Sequence, residues 1–375
     1  MTNQALNLND RITSIDVLRG LAMFLIIGGT GDIGGAPVIP AFTTLFGENF
    51  ANAAAIQFSY PFTTGLRLSF IAMPMFLFVV GLVIPFSMSR RISQTNNNKK
   101  LIYRSIIKRS LILFLFGLIA GGHLLHFEWA HLEIYNNVLE YIAIGYLVSS
   151  LLVLNTSVKV QVIIVVVLLI LYWLLFVFIP VPGWDGETYS GKMNLAILVD
   201  NSVLGPFHRP GSGRLLSTIT LVANMLLGVL VGHLIFGNRE KRDKVKMLLI
   251  YGIGMLFAGI IWGLVFPVIR TLWTSSYVLE TCGITTLVLA FFYYIIDVRG
   301  YSRWAFFFFV LGVNSITVYM MAHLFDFRLI GNIFVGGFAK FVPPNFQNFI
   351  EASAAMTIIW LILLAMYRKK VFIKI

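Results

Sequence analysis

Between Gly121 and Tyr141 the chain reads "GGHLLHFEWAHLEIYNNVLEY", the densest group of ionisable residues in an otherwise apolar sequence. It holds His123, His126, Glu128, His131, Glu133 and Glu140. Histidine is the usual proton acceptor near neutral pH, so His123, His126 and His131 are candidate general bases. The same residues suit an exposed loop, and the sequence leaves both readings open. The spacing of His126 and His131 fits no strong zinc signature, and no metal is expected. Glu140 differs from its neighbours because it falls inside an apolar run, close to Asn136 and Asn137. A carboxylate there is expected to face the protein interior.

Other polar residues stand at the edges of apolar runs. "FHRPGSGRLLSTI" offers His208, Arg209 and Arg214, and "FPVIRTLWTSSYVLETCGI" offers Arg270, Trp273, Thr274, Ser275 and Ser276. Arg, Trp and small hydroxyls suit recognition of a sugar or phosphate, and equally suit a membrane interface where Trp anchors. In "RITSIDVLRGLAMFLIIGGTGD", Asp16 and Arg19 are three residues apart and share a helix face. They can pair with each other or help to hold a phosphorylated donor. Asp32 lies near the other end of that run and is a candidate for substrate binding. "GVNSITVYM" places Asn314 and Tyr319 inside a further apolar run, where an amide needs a hydrogen bond. The chain has no P-loop, kinase loop or dinucleotide fingerprint; "GGTGDIGG" follows an apolar helix rather than a strand. Its single cysteine, Cys282, excludes an intrachain disulfide and a cysteine-rich metal cluster.

The elements that must position these groups are apolar. Of 375 residues, 58% are hydrophobic and 12% charged, with a mean hydropathy of +0.86, which is outside the range of ordinary soluble domains. Candidate spans cover residues 15–34, 68–88, 105–122, 137–154, 160–180, 215–236, 247–267, 277–296, 304–323 and 350–367. The expected fold is therefore an all-α polytopic transmembrane bundle of about ten spans in one integral membrane domain, 1–375. An eleventh span is added if 324–349 crosses. The net charge of +12 sits in short loops such as "SRRISQTNNNKKLIYRSIIKR", "NREKRDKVK", "DVRGYSR" and "YRKKVFIKI". This is the positive-inside pattern rather than a nucleic-acid surface, and it puts both termini in the cytoplasm. Segments 35–67, 181–214 and 324–349 are expected to be outer-side loops, the last a loop or re-entrant piece rich in Gly and Pro. No signal peptide is read at the polar N-terminus, so the first span is expected to stay in the protein.

Taken in order, "RITSIDVLRGLAMFLII", "MPMFLFVVGLVIPFS", "NVLEYIAIGYL", "LLSTITLVANMLLGVLVG", "FPVIRTLWTSSYVLETCGITTLVLA", "GVNSITVYM" and "YRKKVFIKI" resemble the heparan-alpha-glucosaminide N-acetyltransferase-like family of bacterial membrane proteins. The resemblance implies a multi-pass protein of the bacterial inner membrane. It implies transfer of an acetyl group from cytosolic acetyl-CoA to an amino sugar or glycan on the periplasmic side. On this reading Asp16, Arg19, Glu140 and Asn314 are candidates for holding acetyl-CoA. Asp32, His208, Arg270, Trp273, Thr274 and Ser275 are candidates for the acceptor. The expected partners are the lipid bilayer, the amino sugar or glycan, and a second copy of the chain; nucleic acid is not among them.

The sequence departs from the family pattern in "QFSYPFTTGLRLSF". Anchored on Gly65 and Pro74, the places of the family's catalytic His, its Trp and its following Asp hold Tyr60, Thr63 and Phe70. A tyrosine has a pKa of about 10 and is a poor base near neutrality, although it stays a candidate. Phenylalanine carries no charge and accepts no conventional hydrogen bond. Three outcomes follow: a histidine of 123–131 serves as a relocated base, the acceptor is a different group such as a hydroxyl, or catalysis is gone and the bundle binds or transports a glycan.

Overall fold

A computed structural model of the chain describes residues 12–29, 39–59, 62–121, 123–127, 131–184, 186–211 and 213–373. Tyr60, Asp32 and the side chain of His126 lie outside what is described. Among the described residues every regular element is helical apart from an isolated antiparallel bridge between Thr64 and Ile269.

The helices are α1 (Thr13–Phe24, continued by a π-turn to Gly29), α2 (Ile39–Phe46), α3 (Glu48–Phe58), α4 (Leu68–Gln94) and α5 (Lys99–Gly121). They continue with α6 (Val138–Asn155), α7 (Val158–Phe178), α8 (Leu195–Leu204), α9 (Arg214–Ile235) and α10 (Lys241–Gly263). The last are α11 (Ser275–Phe292, with a π-turn to Val298), α12 (Phe306–Val313), α13 (Ser315–Leu324), α14 (Phe327–Ala339) and α15 (Pro344–Arg368). Even α7, rich in β-branched residues, is helical, since a helix satisfies its own backbone where water is absent.

Seven of these helices are long and apolar enough to cross a membrane, namely α4, α6, α7, α9, α10, α11 with its π-turn, and α15. The pair α12–α13 makes eight if it counts as one span, bent by 66°. The all-α bundle of apolar helices is as expected, and by length and composition the described residues supply seven or eight spans toward the expected ten. Helix α1 with its π-turn is described from Thr13 to Gly29, and α5 carries Lys99, Lys100, Arg104, Lys108 and Arg109 in its first half. The expected loops hold helices of their own: α2 and α3 in 35–67, α8 in 181–214, α14 and the first turns of α15 in 324–349.

Helices α4 and α9 are the most buried of the seven, while α7, α10 and α15 lie on the periphery. Glycines let the inner helices approach closely. A Cβ at Gly228 or Gly232 would fall on the carbonyl of Phe78 or Leu82 in α4. A Cβ at Gly20 would fall on Phe308, and one at Gly312 on Asp16, so α1 and α12 meet backbone to backbone.

The bundle has two unlike ends. At the basic end, Asp297 accepts from the backbone N–H groups of Thr13 and Ser14, 3.1 Å each, and caps α1. Lys241 Nζ reaches the Asp297 carbonyl at 3.0 Å, and Tyr103 donates to Asn155 Oδ1 at 2.9 Å. At the opposite end, called here the loop end, the first turns of α4, α6, α9 and α11 come together. Gly65 N–H donates to the Val268 carbonyl at 2.8 Å, and the Tyr277 hydroxyl to the Phe70 carbonyl at 2.6 Å.

Candidate functional site

The loop end gathers charged and aromatic side chains from separate helices. Phe70, in the first turn of α4, is buried. The guanidinium groups of Arg67 and Arg270 stand 5.8 Å and 5.5 Å from the centre of its ring. Arg67 also donates to the Ile56 carbonyl at 2.9 Å and to Ser59 Oγ at 2.6 Å, which ties α3 to α4. Arg214, the first residue of α9, lies 6.0 Å from the Tyr141 ring. Its Nε is buried and has no hydrogen-bond partner among the described residues. Arg214 and Arg270 are both close enough to act electrostatically on the Tyr141 hydroxyl. Two basic side chains thus converge on one aromatic group, from the start of α9 and from the turn before α11.

The turn before α6 builds the adjoining wall. Glu140 is fully buried and its carboxylate accepts from the backbone N–H groups of Tyr135 (3.0 Å), Asn136 (2.9 Å) and Asn137 (2.8 Å). Asn137 Oδ1 in turn accepts from Leu139 N–H at 2.9 Å, which completes a capping box at the start of α6. An anion at a helix N-terminus is favoured by the exposed N–H groups and the helix dipole. The Tyr135 hydroxyl shares a 2.6 Å hydrogen bond with Thr218 of α9, and burial pushes that phenol above its ordinary range despite this bond. Asp200 on α8 accepts from Arg214 N–H (2.7 Å) and Leu215 N–H (2.9 Å), so it caps α9 from outside. Burial raises the Asp200 carboxyl above its ordinary range, opposed by those two donors, Arg214 and His208.

Helix α13 brings a further contribution. The Tyr319 hydroxyl donates to Asn137 Oδ1 at 3.2 Å, and the His323 ring stacks on the Tyr319 ring at 4.0 Å with Nδ1 2.9 Å from the Tyr319 carbonyl. His323 was not among the histidines singled out from the sequence. It stands one helical turn past Tyr319 in "VYMMAHL", and a lone histidine closing an apolar run was the available signal.

The residues expected to hold acetyl-CoA are divided between the two ends. Asp16 and Arg19 form an ion pair at 3.4 Å in the first turns of α1, at the basic end. Asn314 sits at the break between α12 and α13 and bonds the C-terminal segment both ways: its Nδ2 donates to Val371 O (3.2 Å) and its Oδ1 accepts from Ile373 N–H (3.3 Å). Glu140 is at the loop end, level with Gly117 near the close of α5.

Of the residues expected to meet the acceptor, Arg270 faces Phe70 and Tyr141. Trp273 is buried edge-on against Tyr277. The Thr274 hydroxyl accepts from Ile269 N–H at 3.1 Å, and Ser275 Oγ donates to the Leu169 carbonyl at 2.7 Å. These two hydroxyls hold the start of α11 in place. His208 closes the α8 turn, with Nδ1 2.6 Å from the Gly205 carbonyl. His123 and His131 are exposed on the loop before α6, which is joined to the α8 turn by Ile134 N–H to the Phe207 carbonyl at 2.9 Å. Among the described residues no group of three or more His, Cys, Asp or Glu is placed to hold a metal ion.

No protein-family model matches the chain. It is similar to the human protein heparan-alpha-glucosaminide N-acetyltransferase, 24% identical over 425 aligned residues. The alignment covers 97% of this chain and 60% of the human protein, so the chain spans about three fifths of its relative's length. The similarity makes this polytopic membrane protein a distant relative of an acetyltransferase.

Proposed function

We propose that this protein is a membrane acetyltransferase, with acetyl-CoA as donor and an amino sugar or glycan as acceptor. The observation that carries this reading is the loop-end cluster of Arg67, Phe70, Tyr141, Arg214 and Arg270, in which Arg214 Nε is buried without a partner among the described residues. The likeness to the human acetyltransferase along nearly the whole chain supports the reaction class. In this reading ten helices cross a bacterial inner membrane, both termini are cytoplasmic and the loop-end cluster faces the periplasm.

Acetyl-CoA supplies an activated acetyl thioester. At the basic end, Arg19, held by Asp16 beside the α12–α13 break, is the cation we assign to its phosphates. At the loop end, transfer to an amine needs a group that takes the amine proton and donors for the developing oxyanion. His323, tied to Asn137 through Tyr319, is the base we add to His123, His126 and His131. Arg270 and Arg214, both half-buried, are the oxyanion donors. Thr274 and Ser275 position Arg270 by fixing the turn before α11.

Purified protein given labelled acetyl-CoA and a panel of glucosamine acceptors tests the proposal; folded protein that acetylates none of them contradicts it. A second reading, a glycan transporter or binding protein, is favoured by the 66° break at Asn314, since broken helices often line a substrate path. Glycan flux in proteoliposomes without acetyl-CoA would select it.

A further inference from the structure

In the proposed ten-span topology, on which this inference rests, Arg109 is a membrane-depth charge that the proposed reaction does not use. It sits on α5 six residues past Tyr103, about 9 Å of helix rise from the basic end of the α5–α6 pair. Its guanidinium stands 4.6 Å from the centre of the Tyr146 ring on α6. Its Nε is buried and has no hydrogen-bond partner among the described residues. The same is true of the hydroxyls of Ser110, Tyr146, Ser149 and Ser150, all in buried residues. Tyr146, Ser149 and Ser150 are three and four residues apart and share one face of α6. Five hydrogen-bonding groups on this helix pair therefore lack protein partners among the described residues.

Arginine keeps its charge in any protein environment, and a cation at this depth is costly unless an anion meets it. The helices packed against α5 are α6, α13 and α4, and they bring one acidic residue between them, Glu140. Glu140 is level with Gly117, eight residues further along α5, and is committed to three backbone N–H groups. The Tyr146 ring offers a cation–π contact but no countercharge. The exposed side of α5 supplies the second observation. Lys100, Arg104 and Lys108 follow each other at four-residue intervals and are all exposed. Leu111 and Leu115, 65% and 47% exposed, continue along the helix. Charge gives way to apolar surface as it does along a phospholipid.

We propose that Arg109, Tyr146, Ser149 and Ser150 bind the phosphate of an anionic phospholipid drawn from the leaflet at the basic end. The guanidinium meets the phosphate oxygens, the hydroxyls donate to them, and Lys100, Arg104 and Lys108 flank the headgroup. The acyl chains run along the leucines of α5. A lipid fits better than free phosphate because the site lies at membrane depth beside a lipid-facing surface.

Native mass spectrometry of the full chain, with phosphatidylglycerol or phosphatidylcholine added to the micelle, tests the site alongside thermal unfolding. The wild type is expected to retain phosphatidylglycerol at least fivefold over phosphatidylcholine and to melt higher with it. Arg109→Gln is expected to lose that preference. The double variant Ser149→Ala/Ser150→Ala keeps the charge and is expected to retain about half as much lipid. Equal retention of the two lipids by the wild type overturns the proposal. So does wild-type preference in Arg109→Gln or, if that variant does not fold, in the serine double variant. Inorganic phosphate raising the melting temperature as much as phosphatidylglycerol would also overturn it, in favour of a free-anion site.

Discussion

Arg270 holds its guanidinium 5.5 Å from the centre of the Phe70 ring, so a cation–π contact stands at position 70. Arg67 approaches the same ring at 5.8 Å. An acid at that position would cancel part of this positive charge; phenylalanine, which carries no charge, does not. In the proposed reaction this positive charge would oppose the oxyanion that develops on the acetyl carbonyl oxygen.

Arg270→Gln should lower kcat/KM for acetyl transfer by about 10- to 100-fold, the loss of a charged hydrogen bond worth roughly 1.5–3 kcal/mol. The melting temperature should respond less than the kinetics, because the cation–π contact with the buried Phe70 ring contributes about 0.5–2 kcal/mol. Steady-state kinetics beside a thermal scan separates the two effects. Unchanged kinetics would remove Arg270 from the site.

His323→Gln should reduce kcat by about 10²- to 10⁴-fold, as expected for a lost proton acceptor, and should abolish the acidic limb of the pH–rate profile. Alanine variants of His123, His126 and His131 provide the comparison. Full activity in His323→Gln together with loss in one loop variant would return the base to the 123–131 loop.

Asp200 should leave a pH signature on stability. Its folded-state pKa is raised by burial, so its contribution is fully present below the unfolded value of about 3.8 and is lost as pH rises through the folded value. The difference in melting temperature between wild type and Asp200→Asn should therefore be largest, in favour of wild type, at the acid end and shrink as pH rises. Melting curves from pH 4 upward check this. A difference that grows with pH would mean that the two N–H donors and Arg214 outweigh burial.

Gly20→Leu and Gly228→Leu should each destabilise the protein by more than about 3 kcal/mol, because the new side chain meets backbone of the facing helix, beyond the usual cost of overpacking a core. Size-exclusion profiles after heating report the loss. Wild-type melting in either variant would contradict the backbone contact between those helices.

The helices were legible in the sequence because apolar runs of spanning length have few alternatives to a helix in lipid. The interruptions were harder to read. Asn314 splits the expected span 304–323 through local backbone geometry and its bonds to Val371 and Ile373, which no periodicity reports. Glu140 was recognised as inward-facing, but its partners are the backbone of Tyr135, Asn136 and Asn137, so its visible role is a cap at the loop end. The cluster at Phe70 joins residues some 200 positions apart, Arg67 and Arg270, and only the packing of α4 against α11 brings them together. His323 escaped notice because a single histidine at the end of an apolar run gives no spacing to interpret.

A two-compartment assay tests the central claim most directly. The protein is reconstituted in one orientation in sealed vesicles, with labelled acetyl-CoA on the side of the basic loops and glucosamine on the side of Arg270. Acetylated glucosamine is expected to accumulate in the glucosamine compartment, and to fall with Arg270→Gln and His323→Gln. Folded protein that forms product only when donor and acceptor share a compartment, or forms none, would contradict transfer across the membrane.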